Sequence, residues 1–330
     1  MNRLVSTGLT NIRTSQSPIP FAGKGLFAAR AVARNEVLFN ERPFLAVLRR
    51  TTESKSNEVR NAASNSHCHL CWSPASSSSP FAYCDTHSGQ SAHTVDPHTS
   101  FTTKALARLA SLPGFDNLNY HQQKELQLSS GREGAFSILV THLLAMSLAD
   151  LLTTGSFANS YALFGPLLKA KEKPLHAIPQ EWTDDYNRIS NVLLTGKGLS
   201  DLFPLSWYAD QLTRLNLNSI ACHFSNTDNT QRMEGTAVYL TAAMMNHSCL
   251  PNVRVDWFND NTIRVIADRD IEEGEELSIS YVGPVDVASA REEDVLAKRK
   301  EFFRFNYGFV CTCPLCSGKK EAKCVDEVTI

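Results

Sequence analysis

Three thiols fall within six residues at Cys311-Thr312-Cys313-Pro314-Leu315-Cys316. Three thiolates at that spacing are one ligand short of a tetrahedral zinc site, and the fourth must come from elsewhere in the chain. Cys249, which follows a tight polar turn in Asn246-His247-Ser248-Cys249, is the natural candidate. A second group, Cys68-x-x-Cys71 with Cys84-x-x-His87, has four ligands at a spacing that suits one zinc ion. His93 and His98 are candidates for a second ion there. The plain alternatives are three unrelated core cysteines at 311–316 and a metal-free surface insertion around 67–98. The chain has nine cysteines. In a reducing compartment they are thiols or metal ligands and not disulfides. Cys222 reads as a core residue and Cys324, in a charged tail, as a free thiol.

The elements that must position these groups follow from period and punctuation. Lys+Arg is 32 and Asp+Glu is 34, a formal charge of −2, which argues against a broad basic face for nucleic acid. With 42% hydrophobic and 20% charged residues the chain is globular and not mainly disordered. Its 330 residues suggest about two domains, or one with large insertions. Residues 18–48 look β-rich around the turn Gly23-Lys24-Gly25. Residues 67–98 form a small Cys/His unit. Residues 101–225 are largely helical by period, with candidates at Thr102–Leu112, Glu133–Leu152 and Ser206–His223. Val253–Phe258 and Thr262–Ile266 flank Asn259-Asp260-Asn261, a hairpin signal, within a strand region 226–283. Ser289 with Glu292 forms a capping box opening a helix to about Arg304, so that 284–317 is a helix followed by the cysteine trio. No apolar run reaches the roughly 20 residues of a membrane span; Ala135–Leu152, broken by Ser137, His142 and Asp150, reads as a buried helix. The N-terminus lacks a secretory apolar core, so a soluble intracellular protein of nucleus or cytoplasm is expected.

Four motifs occur in a telling order: Gly23-Lys24-Gly25-Leu26-Phe27-Ala28, Asn246-His247-Ser248-Cys249-x-Pro251-Asn252, Gly274-Glu275-Glu276-Leu277-Ser278-Ile279-Ser280-Tyr281, and the C-x-C-x-x-C tail. Together they resemble the SET-domain protein lysine methyltransferases with a post-SET zinc motif. The Cys/His insertion resembles the MYND module of the SET-and-MYND subgroup, in reduced form. The resemblance implies an α+β fold, a curved β-sheet pseudoknot carrying a helical insertion and a small zinc insertion. Asn246–Cys249 would be the threaded segment, tied by zinc to Cys311, Cys313 and Cys316.

The implied reaction is methyl transfer from S-adenosylmethionine to a lysine amine of a histone tail or another protein. A free lysine has a pKa of about 10.4, so only about one in two thousand is neutral at pH 7, and an apolar channel favours that neutral form. Tyr281 matches the family's catalytic tyrosine and Tyr307 its second channel tyrosine. Lys24, Gly25, Asn218, Asn246, His247, Tyr281 and Phe309 match cofactor-contacting positions. Taken singly, each of these is an ordinary core aromatic, a core histidine or a surface-turn lysine. Ile220 stands where the subgroup carries a bulky aromatic, which widens the implied channel. The chain ends 14 residues after Cys316, without the subgroup's long helical C-terminal domain, which implies an open cleft. The competing readings are a non-catalytic SET scaffold that mediates protein interactions and a methyltransferase acting on a small molecule. Neither a membrane nor a nucleic-acid partner is expected.

Overall fold

The computed structural model describes residues 10–19, 22–50, 134–168, 178–225, 232–258, 261–282 and 293–317, with scattered positions between 109 and 126. The zinc-insertion candidates Cys68, Cys71, Cys84, His87, His93 and His98 lie outside the described residues, as do the proposed helix start at Ser289–Glu292 and most of Thr102–Leu112. The chain divides into two compact units. One is 40–243 with 257–264; the other is 2–39 with 244–256 and 265–330.

The first unit is built on helix α1 (Gly134–Thr154). Leu139, Val140, Leu143, Ala145, Met146 and Leu148 are fully inaccessible; burying each large aliphatic side chain contributes about 1.5–3 kcal/mol relative to exposure. The sequence reading excluded a membrane-length apolar run, but residues Ala135–Thr154 of α1 reach that length and apolarity, with mean hydropathy 1.8. Its window is 83% buried, which makes α1 the core helix expected from Ser137, His142 and Asp150. Ser137 accepts a hydrogen bond from the Tyr208 hydroxyl at 2.9 Å. Asp150 receives the Ser160 backbone N–H at 2.8 Å and the Asn159 side chain at 3.0 Å, and so supports the first turn of α2 (Ala158–Phe164).

Helix α3 (Gln180–Leu193) follows Pro179, which takes the N-cap position. Glu181 in its first turn complements the helix dipole. Helix α4 (Leu205–Asn218) follows Pro204 in the same way. The expected helix Ser206–His223 is therefore too long: the chain leaves α4 at Asn218 and continues as strand β5 (Ser219–Ser225). The physical reason is pairing. β5 runs antiparallel to β6 (Arg232–Val238), with Ser219 opposite Val238 and Ile220 opposite Ala237. The β-branched and aromatic residues of Ile220–Phe224 suit that ladder better than a helix end. β4 (Leu45–Arg50) covers the other edge of β6, giving the order β4–β6–β5. Buried Glu41 receives the backbone N–H groups of Thr241 and Ala242 at 2.7 and 2.9 Å, closing the turn that ends this unit.

The second unit begins with the antiparallel pair β1 (Ile12–Gln16) and β2 (Lys24–Ala28). A three-stranded sheet, formed mainly by this unit, has the order β3–β9–β8, from Val37–Glu41, Ile263–Ala267 and Val253–Trp257. The last two are the expected hairpin, and Asn261 adopts φ 62° at its turn, a conformation asparagine tolerates better than most residues. Two two-residue strands, β7 (Asn246–His247) and β10 (Ser278–Ile279), pair in parallel. Gly274 at φ 82° makes the turn that precedes β10. Helix α5 (Glu293–Asn306) carries Glu293 and Asp294 in its first turn and Arg304 in its last, matching the dipole at both ends.

Candidate functional site

Parallel pairing of β7 with β10 places Asn246 beside Ser278 and His247 beside Ile279. The Ser248 N–H then donates to the Ile279 carbonyl at 3.0 Å. Asn252 locks this crossing. Its side chain is buried and fully used: Nδ2 donates to Glu275 Oε1 at 3.0 Å and to the Glu276 carbonyl at 2.9 Å. Its Oδ1 accepts from the Ser278 N–H at 2.8 Å and the Ser278 hydroxyl at 3.2 Å.

Tyr281 emerges just beyond β10. Its hydroxyl donates to the Met245 carbonyl at 2.9 Å and its backbone N–H donates to His247 Nδ1 at 3.1 Å. Burial, then the neighbouring Tyr307 and Glu276, push its phenol well above the ordinary tyrosine range. Burial raises Tyr307 as well. Both rings are therefore neutral at physiological pH. They stand 5.1 Å apart, centroid to centroid. His247 lies 4.1 Å from Phe303, and Phe303 stacks on Phe309 at 5.3 Å. Tyr281, Tyr307, Phe303, Phe309 and the His247 ring make one aromatic cluster.

The cysteines close the other side of that cluster. The sulfur atoms of Cys249, Cys311, Cys313 and Cys316 all lie within 4.8 Å of one another. Cys249 Sγ is 3.9 Å from Cys311 and 3.5 Å from Cys316, and none of the four is in a disulfide. Zn–S bonds of about 2.3 Å place tetrahedral sulfurs roughly 3.8 Å apart, so the four thiols fit a zinc ion. As thiols alone they compete for charge: hydrogen bonds from Cys311, Cys313 and Cys316 pull Cys249 far below the usual thiol range, while the bond to Cys249 drives Cys311 up. A cation removes that competition by taking all four as thiolates. Arg299 of α5 adds a donor, with Nη2 3.1 Å from Cys249 Sγ.

A cavity of about 290 Å³ opens beside the cluster. Its walls include His247, Ser248, Glu276, Phe309, Thr312 and Pro314. Asn246 donates to Glu276 at 2.6 Å, and Ser17 donates to the second oxygen of that carboxylate at 2.8 Å. Gly25 packs against both: a Cβ there would collide with the Glu276 carboxylate and lie 2.9 Å from the Asn246 amide. Burial alone would raise the Glu275 carboxyl, but the Arg269 guanidinium, the Glu272 N–H and Asn252 outweigh it and hold it low.

The structure thus gathers Lys24, Gly25, Asn246, His247, Cys249, Tyr281, Tyr307, Phe309 and the cysteine trio in one unit. Asn218 belongs to the other unit. Its amide is spent locally, accepting from the Leu168 N–H and donating to the Leu168 and Arg214 carbonyls at 2.7–3.0 Å. Ile220 lies on β5 of that unit. Sequence reasoning passed over Arg299, Asn252 and Glu276. Asn252 and Glu276 stood inside quoted motifs and could have been singled out as polar residues among buried neighbours. Arg299 carries no signal, since one arginine in the charged helix Glu293–Asn306 looks like its neighbours.

A β-rich unit that crosses Asn246–Cys249 beside a tyrosine-bearing strand and ties it to a C-terminal cysteine cluster defines a SET-type α+β protein. The SET domain family matches residues 23–282, most of the chain, and the protein belongs to that family. It is similar to the SET and MYND domain-containing protein DDB_G0292454 of Dictyostelium discoideum, 27% identical over 62% of this chain and 56% of the relative. It is also similar to the histone-lysine N-methyltransferase SET5 of Candida glabrata, 23% identical over 93% of this chain and 58% of the relative. A shorter match, 36% identical over 25% of this chain and 19% of the relative, is to the protein-lysine N-trimethyltransferase SMYD5 of Gallus gallus. The chain spans between about a fifth and three fifths of the length of these relatives.

Proposed function

We propose that this protein is an S-adenosylmethionine-dependent protein lysine N-methyltransferase, with a histone tail or another protein as acceptor. The observation that carries the reading is the placement of Tyr281. Its hydroxyl hydrogen is engaged by the Met245 carbonyl, so the phenol oxygen is left as an acceptor, held beside Tyr307. S-adenosylmethionine, when bound, supplies an electrophilic methyl group on sulfur. The chain's own contribution is to position and to desolvate. The cavity lined by His247, Ser248 and Phe309 has an aromatic wall and polar edges suited to a nucleoside. Lys24, Gly25 and Asn246 border it through Glu276. The Tyr281 oxygen orients the incoming amine by accepting one of its hydrogens, and the aromatic walls favour the uncharged amine over the ammonium.

No residue of the cluster needs to act as a strong base, since Tyr281 and Tyr307 are both held neutral. The lysine reaches the site having lost its proton to water. Cys249, Cys311, Cys313 and Cys316 would hold a zinc ion, which would tie together the wall that packs against Phe309. A second zinc at Cys68, Cys71, Cys84 and His87 is part of the same proposal, as is a soluble location in nucleus or cytoplasm. The relatives named for histone-lysine and protein-lysine methylation support the acceptor class.

The test is transfer of a radiolabelled methyl group to histones, to a protein extract and to small amines, with Tyr281→Phe as control. Label on protein lysine that the substitution abolishes supports the enzyme reading. Zinc-loaded protein that neither binds S-adenosylmethionine nor transfers label points to the scaffold instead.

A further inference from the structure

Three hydrogen-bonding groups converge around one sulfur and one ring. The Tyr281 N–H donates to His247 Nδ1 at 3.1 Å, which leaves the ring hydrogen on Nε2. Nε2 faces Cys249 Sγ at 3.3 Å. Arg299 Nη2 reaches the same sulfur at 3.1 Å. The guanidinium lies partly inside the protein, and its Nε is buried without a hydrogen-bond partner among the described residues. An arginine is drawn inward at that cost where a negative charge waits for it. A divalent ion held by four thiolates leaves two negative charges in a cluster whose Cys249, Cys311 and Cys316 are only about 4% exposed.

We propose that Arg299 is the charge-balancing positioning residue of the thiolate centre, and that His247 passes the occupancy of that centre on to Tyr281. The inference rests on the methyltransferase reading only for what Tyr281 does; the metal linkage stands by itself. With the ion bound, Cys249 is a thiolate, and it accepts from Arg299 and from His247 Nε2 at once. That fixes the imidazole plane, and the fixed Nδ1 holds the Tyr281 backbone. Without the ion nothing clamps Cys249 to the cysteine trio, so the Nε2 anchor of the ring is only as fixed as that one sulfur. Metal loading therefore sets the rigidity of the tyrosine that faces the reacting amine, through a chain of two hydrogen bonds. Outer-shell donors of this kind typically alter metal affinity ten- to a hundred-fold.

The experiment uses the full chain, stripped of metal under reducing conditions, as parent, Arg299→Lys, Arg299→Gln and Arg299→Met. Zinc affinity is read by competition with a chromophoric chelator, and the thiolate-to-metal charge-transfer band is read with cobalt(II) in place of zinc. The exchange rate of the Tyr281 backbone hydrogen is followed by mass spectrometry in the parent, with and without saturating zinc. Arg299→Met and Arg299→Gln should bind zinc about ten- to a hundred-fold more weakly and move the cobalt band to lower energy. Arg299→Lys should recover most of the affinity. Exchange at Tyr281 in the parent should be several-fold faster without zinc than at saturating zinc. If Arg299→Met does not fold, Gln against Lys decides, because both can donate and only lysine carries charge. Equal affinity in Gln and Lys, an unmoved cobalt band, or Tyr281 exchange in the parent indifferent to zinc would overturn the proposal. A parent that shows the metal linkage but transfers no methyl group would sink the enzyme reading alone.

Discussion

At the scale of single residues the proposed reaction turns on keeping Tyr281 neutral and oriented. Replacing it with phenylalanine removes the oxygen and leaves the ring packing against His247 and Tyr307. Cofactor affinity should stay within a few-fold, while single-turnover transfer falls at least a hundred-fold, a loss of about 2.7 kcal/mol of transition-state stabilisation. The pH dependence follows from the same burial. Because the folded protein holds the Tyr281 phenol above its usual 10.0, its contribution to stability is complete below that pH and is lost as pH rises toward the higher folded value. Melting temperatures should therefore fall above about pH 10, and the Tyr281→Phe variant should lose part of that alkaline slope. Transfer between pH 7 and 9 should rise almost tenfold per unit, following the lysine substrate, and the curve should show no ionisation from Tyr281. A break in that range which disappears in Tyr281→Phe would reassign the tyrosine as a base.

Among the elements, the two-residue strands β7 and β10 are too short to hold themselves. Asn252 does it for them, through bonds to the Glu275 side chain, the Glu276 carbonyl and Ser278. Asn252→Ala leaves the half-buried Glu276 carbonyl and Ser278 N–H without that partner, at a cost of about 1–2 kcal/mol. Denaturant unfolding should show that loss, with binding of S-adenosylmethionine weakened as the Asn246 strand loosens; an unchanged midpoint would mean that water replaces the side chain. This is also the scale at which the sequence was only partly readable. The hairpin of β8 and β9 and the long helix α1 announced themselves by alternation and by an apolar run. Strand β5 did not, because Leu212, Leu215, Ile220 and Phe224 continue a plausible helical stripe, and only the ladder to β6 ends the helix at Asn218. Helix α3 was not among the three helices expected within 101–225, since Pro179, which serves as its N-cap, suits a loop as well as a helix start. The gathering of Cys249 with Cys311, Cys313 and Cys316 was legible from ligand arithmetic, whereas the Arg299 contact depends on the rotation of one helix and leaves no trace in spacing.

For the molecule as a whole, the metal should behave as part of the fold. Chelating zinc from the purified protein should lower its melting temperature by on the order of 10 °C, and restoring zinc should return it. A melting curve indifferent to chelator would place the four thiols among ordinary core cysteines. The assembly of the second unit has a consequence of its own. Its strands come from residues 12–39 and 244–282, Ser17 bonds Glu276 across 259 positions, and Cys249 meets Cys316 across 67. While the chain is being synthesised, β1 and β2 can pair only with each other, and the rest of this unit must wait for residues 244–282 and then for the segment around Cys316. The nascent protein thus spends most of its synthesis with β1 and β2 lacking their later partners, and it is during that interval that chaperones would have the most to shield.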